Sequence, residues 1–365
     1  MLTESEKIAD VGYIGAIPVR NLWLLMLYAS DLYRELALDR RAIEDTPDEI
    51  PDLVAKILCH RVEYRLRRNL SYGYQTRQDI LSRLRGHIDL LKTEQRHLLA
   101  RGKIACVFAE LTVNTARNRY VRAALAEIAK IVEDKTLAHR CRSLAAGLQR
   151  LGVSGDCPGR REMAADVFAR HDAGDRPMVD AAHLAFNLAL PTEMAGHKSL
   201  PIPERNIVWM RRLYEKAIAG FYEVTLDKAC WRVEAGKWLK WQIAQASDNM
   251  KQLFPAMQTD IILENRAAPY RLIIDTKFNA VLSNGRHGKE SLRSHYIYQI
   301  YAYLRSQEGN GALADNAAGL LLHPATGYNV DETAVIQGHK IRFATVDLSA
   351  SAREIRQRLL QVIAE

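Results

Sequence analysis

Directly after Pro18, apolar residues recur at helical spacing: Leu22, Leu25, Tyr28, Ala29 and Leu32 form one stripe, and the proline suits a first turn. A second stripe follows Pro51 through Leu53, Ile57, Val62, Tyr64 and Leu66, and closes on the basic turn Arg65, Arg67, Arg68 before Gly73. From Tyr74 to about Val113 the period shortens, and segments such as GHIDL and IACVFAEL read as strands. Helical spacing returns over Arg119–Val132 and Ala138–Leu151, which completes a predicted α+β domain over residues 1–152. Between Gly152 and Pro203, Gly, Pro and Asp crowd into SGDCPGR, HDAGDRP, LPTEM and SLPIP around one helical piece near Ala181–Leu190. These residues interrupt both periods, so 153–203 is predicted to be a linker region. The remainder, 204–365, opens with a long amphipathic helix from Asn206 to about Ala229, striped by Ile207, Met210, Tyr214, Ala217 and Phe221. Three strand-like segments follow, KWLKWQIA, QTDIILE and RLIIDTKF, the last two joined by the hairpin-sized NRAAPY. A helix over Glu290–Arg305, strands AGLLLH and IRFATVDL, and a helix over Ala352–Ala364 finish the chain. The predicted fold class is α/β in two domains.

The polar exceptions to this pattern carry the chemistry. Asp260 sits on one strand of the hairpin, while Asp275 and Lys277 sit on the other. Side chains two apart on a strand share a face, so Asp275 and Lys277 project together, and Thr276 points away with Leu272, Ile274 and Phe278. Unpaired charge on an otherwise apolar strand is costly, so the group is poorly explained as core filling. Two carboxylates converging across a hairpin suit Mg²⁺, which takes a few carboxylates together with waters and phosphate oxygens. Such an ion activates water and neutralises charge on a phosphodiester in flight, with Mn²⁺ as the alternative. Lys277 would then position the attacking water and stabilise the transition state. An isolated D-x-K is usually a surface ion pair; the added hairpin acid and the flanking helices set this one apart. Glu215, on the preceding helix, is a candidate third carboxylate, although that helix also carries Arg211, Arg212 and Lys216 as surface partners. Gln299 and Tyr303 are four apart and share a helix face, from which Gln299 can hold the lysine or a nucleic-acid group. The neighbouring Tyr296, Tyr298 and Tyr301 read as packing residues.

Composition narrows the class. The chain has 365 residues, 48% of them hydrophobic and 26% charged, which excludes a disordered or fibrous protein. Fifty-one Lys and Arg against 43 Asp and Glu leave a net charge of +8, which favours a polyanionic partner without specifying it. The five cysteines are widely spaced and form no Cys-x-x-Cys, which argues against disulfides and thiolate zinc and fits a cytoplasmic location. The longest early apolar run, Leu22 to Ala29, is too short to span a bilayer, so no membrane association is expected. No G-x-x-x-x-G-K-[ST] loop occurs, so the chain itself is expected to bind no nucleotide.

The order helix with Glu215, hairpin with Asp260 then Asp275-x-Lys277, helix with Gln299-x-x-x-Tyr303 resembles the PD-(D/E)xK nuclease superfamily. One departure is that Thr259 stands where that superfamily places a proline, with Pro255 displaced. Further stretches are similar to the McrC family: IPVRNLWLLMLYA, LRGHID, ELTVNTARNRYVRAAL, LYEKAIAGFY and ESLRSHYIYQIYAYL. The resemblance covers nearly the whole chain. It implies a restriction-endonuclease-like α/β domain with a mixed central sheet, preceded by an α+β domain that docks on a partner. That partner would be an McrB-like AAA+ GTPase ring, which recognises double-stranded DNA carrying modified cytosine and whose GTP hydrolysis is stimulated by docking. Arg20 and Asn21, or Arg117, Asn118 and Arg119, are candidates for the docking contacts. Two other readings stay open at this point: a non-catalytic adaptor of the motor that retains a nuclease fold, and a stand-alone repair nuclease.

Overall fold

The helix after Pro18 spans Val19–Tyr28 (α1), and every residue in it except Arg20 is buried. A helix apolar on all sides belongs inside a core rather than on its surface. It lies against a long helix, Glu204–Thr225 (α2), with the Tyr28 and Phe221 rings 5.2 Å apart. Gly220 permits the approach, because a Cβ there would stand 2.0 Å from the Tyr28 carbonyl oxygen. The Asn21 amide donates to the carbonyls of Leu348 (2.7 Å) and Ala350 (2.9 Å), tying the start of the chain to its last segment.

The computed structural model describes residues 13–14, 16–35, 46–166, 168, 170–194, 204–280, 282–284, 290–325 and 329–364. The chain divides into two units, one formed by Met1–Ile50 with Leu190–Glu365 and the other by Pro51–Ala189. These boundaries differ from the predicted 1–152, 153–203 and 204–365. The N-terminal helix belongs with the last part of the chain, and most of the predicted linker is folded. Within it, Arg176–Met194 is helical, and Asp166, Asp172 and Asp175 are counter-charges for a buried arginine, Arg117. Asp175 also binds Arg65, whose Nε lies 2.6 Å from Oδ1. Residues 195–203 of that stretch, including SLPIP, lie outside the described residues.

The Pro51–Ala189 unit is α+β. Gly73–Leu81 pairs antiparallel with Ile104–Thr112 along their full length, and the short strand His87–Ile88 flanks the latter. Helices Ala116–Ile131 and Lys135–Arg150 start from side-chain caps on Thr115 and Asp134, which satisfy otherwise unpaired first-turn amides.

In the other unit a mixed six-stranded sheet forms the centre. Its strands are Trp231–Ala235 (β1), Ile261–Asn265 (β2), Tyr270–Thr276 (β3), Ala318–Pro324 (β4), Asp331–Ile336 (β5) and His339–Val346 (β6), in the spatial order β5-β6-β4-β3-β2-β1. β3 runs antiparallel to β2 and parallel to β4, and helix Ser294–Arg305 (α3) lies between β3 and β4 in the chain. One face of the sheet, with Ile262, Ile273, Leu321, Ile341 and Phe343, packs under Ile300, Tyr303 and Leu304 of α3. A helix over Ala352–Gln361 (α4) starts from a capping box of Ser351 and Glu354. Among the described residues no helix is long and apolar enough to cross a membrane.

Candidate active site

Asp275 is the penultimate residue of β3 and shares its face with Ile273 two residues earlier. Ile274 pairs with Ile261, so continuing the register by one residue brings Asp275 opposite Asp260, which directly precedes β2. The hairpin therefore joins the two acids, as its sequence predicts. Asp275 is fully buried. Lys277, just beyond the strand, donates to its Oδ1 at 3.0 Å and lies 2.8 Å from Oδ2 without hydrogen-bond geometry. Oδ2 is buried and accepts no hydrogen bond from a described group.

The neighbourhood of Asp260 is built chiefly from backbone. Its carbonyl accepts from the Gly236 amide at 2.8 Å, and its Oδ2 accepts from the Thr276 amide (2.7 Å) and hydroxyl (2.8 Å). Gly236 has φ of +63°, which suits glycine at this turn. Thr276 thus serves the site, whereas alternation along the strand predicts that it faces away. Asp260 precedes β2 and lies outside regular strand geometry, so a period of two does not decide which way its carboxylate turns, and it reaches Thr276 at the end of β3. Thr259, directly before Asp260, donates its amide to the Lys237 carbonyl at 3.0 Å. A proline has no N–H to make that bond.

Glu215 is half-buried on α2, one residue after the buried Tyr214, whose ring meets Phe278 edge-on at 5.8 Å. The three carboxylates feel one another. Burial, followed by the charge of Asp260, pushes the Glu215 carboxyl above its ordinary value. Burial pushes Asp275 up to about 7, an effect that Lys277 opposes and that Asp260 and Glu215 reinforce. Burial pulls the Lys277 ammonium down, but the adjacent Asp275 carboxylate outweighs it and the net shift is upward. Asp260, Asp275, Lys277 and Glu215 thus share one electrostatic neighbourhood. Among the described residues no three His, Cys, Asp or Glu side chains converge closely enough to hold a metal ion unaided.

Gln299 and Tyr303 meet on the α3 face that their spacing predicts. The Gln299 amide donates to the Tyr303 hydroxyl at 2.6 Å, and that hydroxyl donates to the Gln258 carbonyl at 2.8 Å, two residues before Asp260. The Gln299 side-chain amide therefore supports, through Tyr303, the backbone just ahead of Asp260. Three residues that sequence reasoning did not place at the site stand around the lysine. The Lys277 ammonium lies 5.2 Å from the centre of the Tyr296 ring. The Asn279 side-chain amide donates to the Tyr296 hydroxyl, and Nδ1 of the buried His323 lies 3.0 Å from the Asn279 carbonyl. Tyr296 was legible in principle, because it precedes Gln299 by three residues and Tyr303 by seven, the spacing of one helix face.

The candidate docking residues are placed differently. Besides binding the C-terminal segment, Asn21 is buried. Arg117 is also buried, in its aspartate cluster, and Asn118 donates its amide to the Ser71 (3.2 Å) and Val113 (2.8 Å) carbonyls. Arg119 pairs with Glu162, and Arg20 lies 4.0 Å from Asp48. Asn21, Arg117 and Asn118 accordingly hold their own units together and present little to a partner.

The family described as McrBC 5-methylcytosine restriction system component matches residues 3–324. The chain belongs to that family. A protein of Escherichia coli K12, the type IV methyl-directed restriction enzyme EcoKMcrBC, is 28% identical over 356 residues, covering 96% of this chain and 98% of its own. Two solved structures from Thermococcus gammatolerans are also similar. A half-complex of McrB AAA+ hexamers with bound McrC has 12% identity and a TM-score of 0.41, over 95% of this chain and 76% of that one. A cryo-EM structure of the McrBC complex has 13% identity and a TM-score of 0.35, over 58% of this chain and 59% of that one.

Proposed function

We propose that this member of the McrBC family is the nuclease subunit of a modification-dependent restriction complex. In this reading it is a Mg²⁺-dependent endodeoxyribonuclease with a PD-(D/E)xK-type site. It hydrolyses double-stranded DNA carrying modified cytosine when assembled with an McrB-like AAA+ GTPase, and it stimulates that partner's GTP hydrolysis. The observation that carries the reading is the fully buried Asp275, beside Asp260 and Lys277 and directly after the buried run Leu272–Ile274 of its strand. Family membership and similarity to the E. coli restriction enzyme support it.

The residues fit a divalent cation. Asp275 keeps one buried oxygen without a hydrogen bond, and burial above all, with the Asp260 and Glu215 charges added, opposes its ionisation. Two carboxylates are what Mg²⁺ usually takes from a protein, the remaining positions going to water and phosphate. Asp260 and Asp275 would hold the ion, Mn²⁺ being an alternative, and Glu215 would add negative charge nearby. When bound, the ion supplies positive charge at the scissile phosphate and makes water a better nucleophile. The chain's own groups do the rest. Lys277 holds an ammonium where it can orient water and meet charge on the phosphate. Thr276 fixes the Asp260 carboxylate, and Gln299 with Tyr303 fixes the backbone ahead of it. No side chain needs to form a covalent intermediate.

The deciding experiment incubates the full chain with the McrB-like GTPase of its own organism, Mg²⁺ and GTP, on methylated and unmethylated plasmid. Methylation-dependent cutting that vanishes in Lys277→Ala, while GTPase stimulation persists, is the expected result. Stimulated GTP hydrolysis without any cutting by the unaltered protein would replace the nuclease reading with that of an adaptor.

A further inference from the structure

The Lys277 ammonium donates to Asp275 and lies against the ring face of Tyr296. A lysine serving the scissile phosphate has to stay near the carboxylate without all three of its N–H groups being spent. An aromatic face meets that need, because its quadrupole attracts the ammonium but offers no lone pair of an oxygen acceptor.

The ring is held from two sides. The Asn279 side chain donates to the Tyr296 hydroxyl, and His323 contacts both, with Nδ1 3.0 Å from the Asn279 carbonyl and its ring 5.8 Å from that of Tyr296. A nitrogen facing a carbonyl must carry the proton, which assigns the Nδ1–H tautomer. Burial keeps this imidazole neutral by lowering its pKa to about 4. Tyr296 also packs beside the core that α3 forms with the sheet, so its position is tied to the same helix as Gln299 and Tyr303.

We propose that Tyr296 is a positioning residue, whose ring face holds the Lys277 ammonium against Asp275 and leaves an N–H free for the phosphodiester. The inference rests on the nuclease reading above and adds to it the means by which the lysine is aimed. Asn279 and His323 act through the ring, which they fix.

Two measurements test it. In the assembled complex, Tyr296→Leu is expected to lower kcat roughly tenfold with KM little changed, and Tyr296→Phe, which restores the ring face, to recover most of that loss. Equal losses in both variants, or no loss in Tyr296→Leu, would overturn the proposal. The second measurement needs no cleavage: reductive ¹³C-methylation of the full chain, with the Lys277 signal assigned by its absence in Lys277→Arg. That methyl resonance is expected upfield of those of the exposed lysines, through the ring current, and to move back in Tyr296→Leu. A Lys277 signal at the exposed-lysine position in the unaltered protein would show that the ring does not cover it. If Lys277→Ala cuts as well as the unaltered protein, the nuclease reading fails, while the resonance still decides whether the ring holds the lysine.

Discussion

Two side chains set the residue scale. Asn21 donates to two carbonyls of the C-terminal segment from a buried position, so removing it strands both acceptors. Asn21→Ala is expected to destabilise its unit by about 2–3 kcal/mol, read as a lower urea midpoint. Were Asn21 a docking residue, the midpoint would stay and stimulation of the GTPase would fall. Glu215 has the opposite character, since burial and Asp260 both oppose its charge. Glu215→Gln removes that repulsion, so melting in EDTA is expected to rise by roughly 2 °C while cutting falls. A lower melting temperature would mean that the glutamate has stabilising partners instead. The Asp275–Lys277 pair was legible from sequence because spacing alone joins residues two apart. The aspartates around Arg117 were not, since a buried ion pair between positions 49 residues apart leaves no local pattern.

At the scale of elements, the close crossing of α1 and α2 depends on one missing side chain. Gly220→Ala would drive a methyl to 2.0 Å from the Tyr28 carbonyl, and backbone on both sides leaves it nowhere to go. A loss of about 3 kcal/mol or more is expected, seen as a collapse in soluble yield or in melting temperature. A normally folded Gly220→Ala would show that the two helices can separate at little cost. Long periodic elements were the readable ones: the helices after Pro18 and Pro51, the hairpin, α3 and the C-terminal helix fall close to their expected positions. The edges of the sheet were not. KWLKWQIA looks like a strand, yet only Trp238–Leu239 is extended within it, and the sheet strand is the preceding WRVEA. DETAVI, the strand at the opposite edge, is almost wholly exposed. An edge strand buries so little that composition cannot separate it from a loop.

For the whole molecule, the decisive property is that one unit is continuous in sequence and the other is not. Pro51–Ala189 carries its own sheet and its own buried residues, among them Leu58, Leu125 and Ala185. Expressed alone, it is expected to unfold cooperatively in urea. The segment from Leu190 onward lacks α1, which fills its core, so it is expected to be insoluble or molten unless residues 1–50 are supplied in trans. A native-like melt from the shorter segment would show that α1 is dispensable. Gly, Pro and Asp between 152 and 203 suggested a border there, but punctuation of that kind marks bends in a chain as readily as the limits of a core.

The bond from Asn21 to residue 350 also imposes an order in time. A ribosome adding roughly 5–20 residues per second leaves α1 waiting for on the order of 15–60 s before its partners emerge. The continuous unit can finish during that interval. Strand β6, between β4 and β5, comes among the last segments made, so the sheet beneath Asp275 is incomplete until then. Synthesis thereby acts as a safety catch: a chain still being translated carries every residue of the proposed cleavage site, and no working blade.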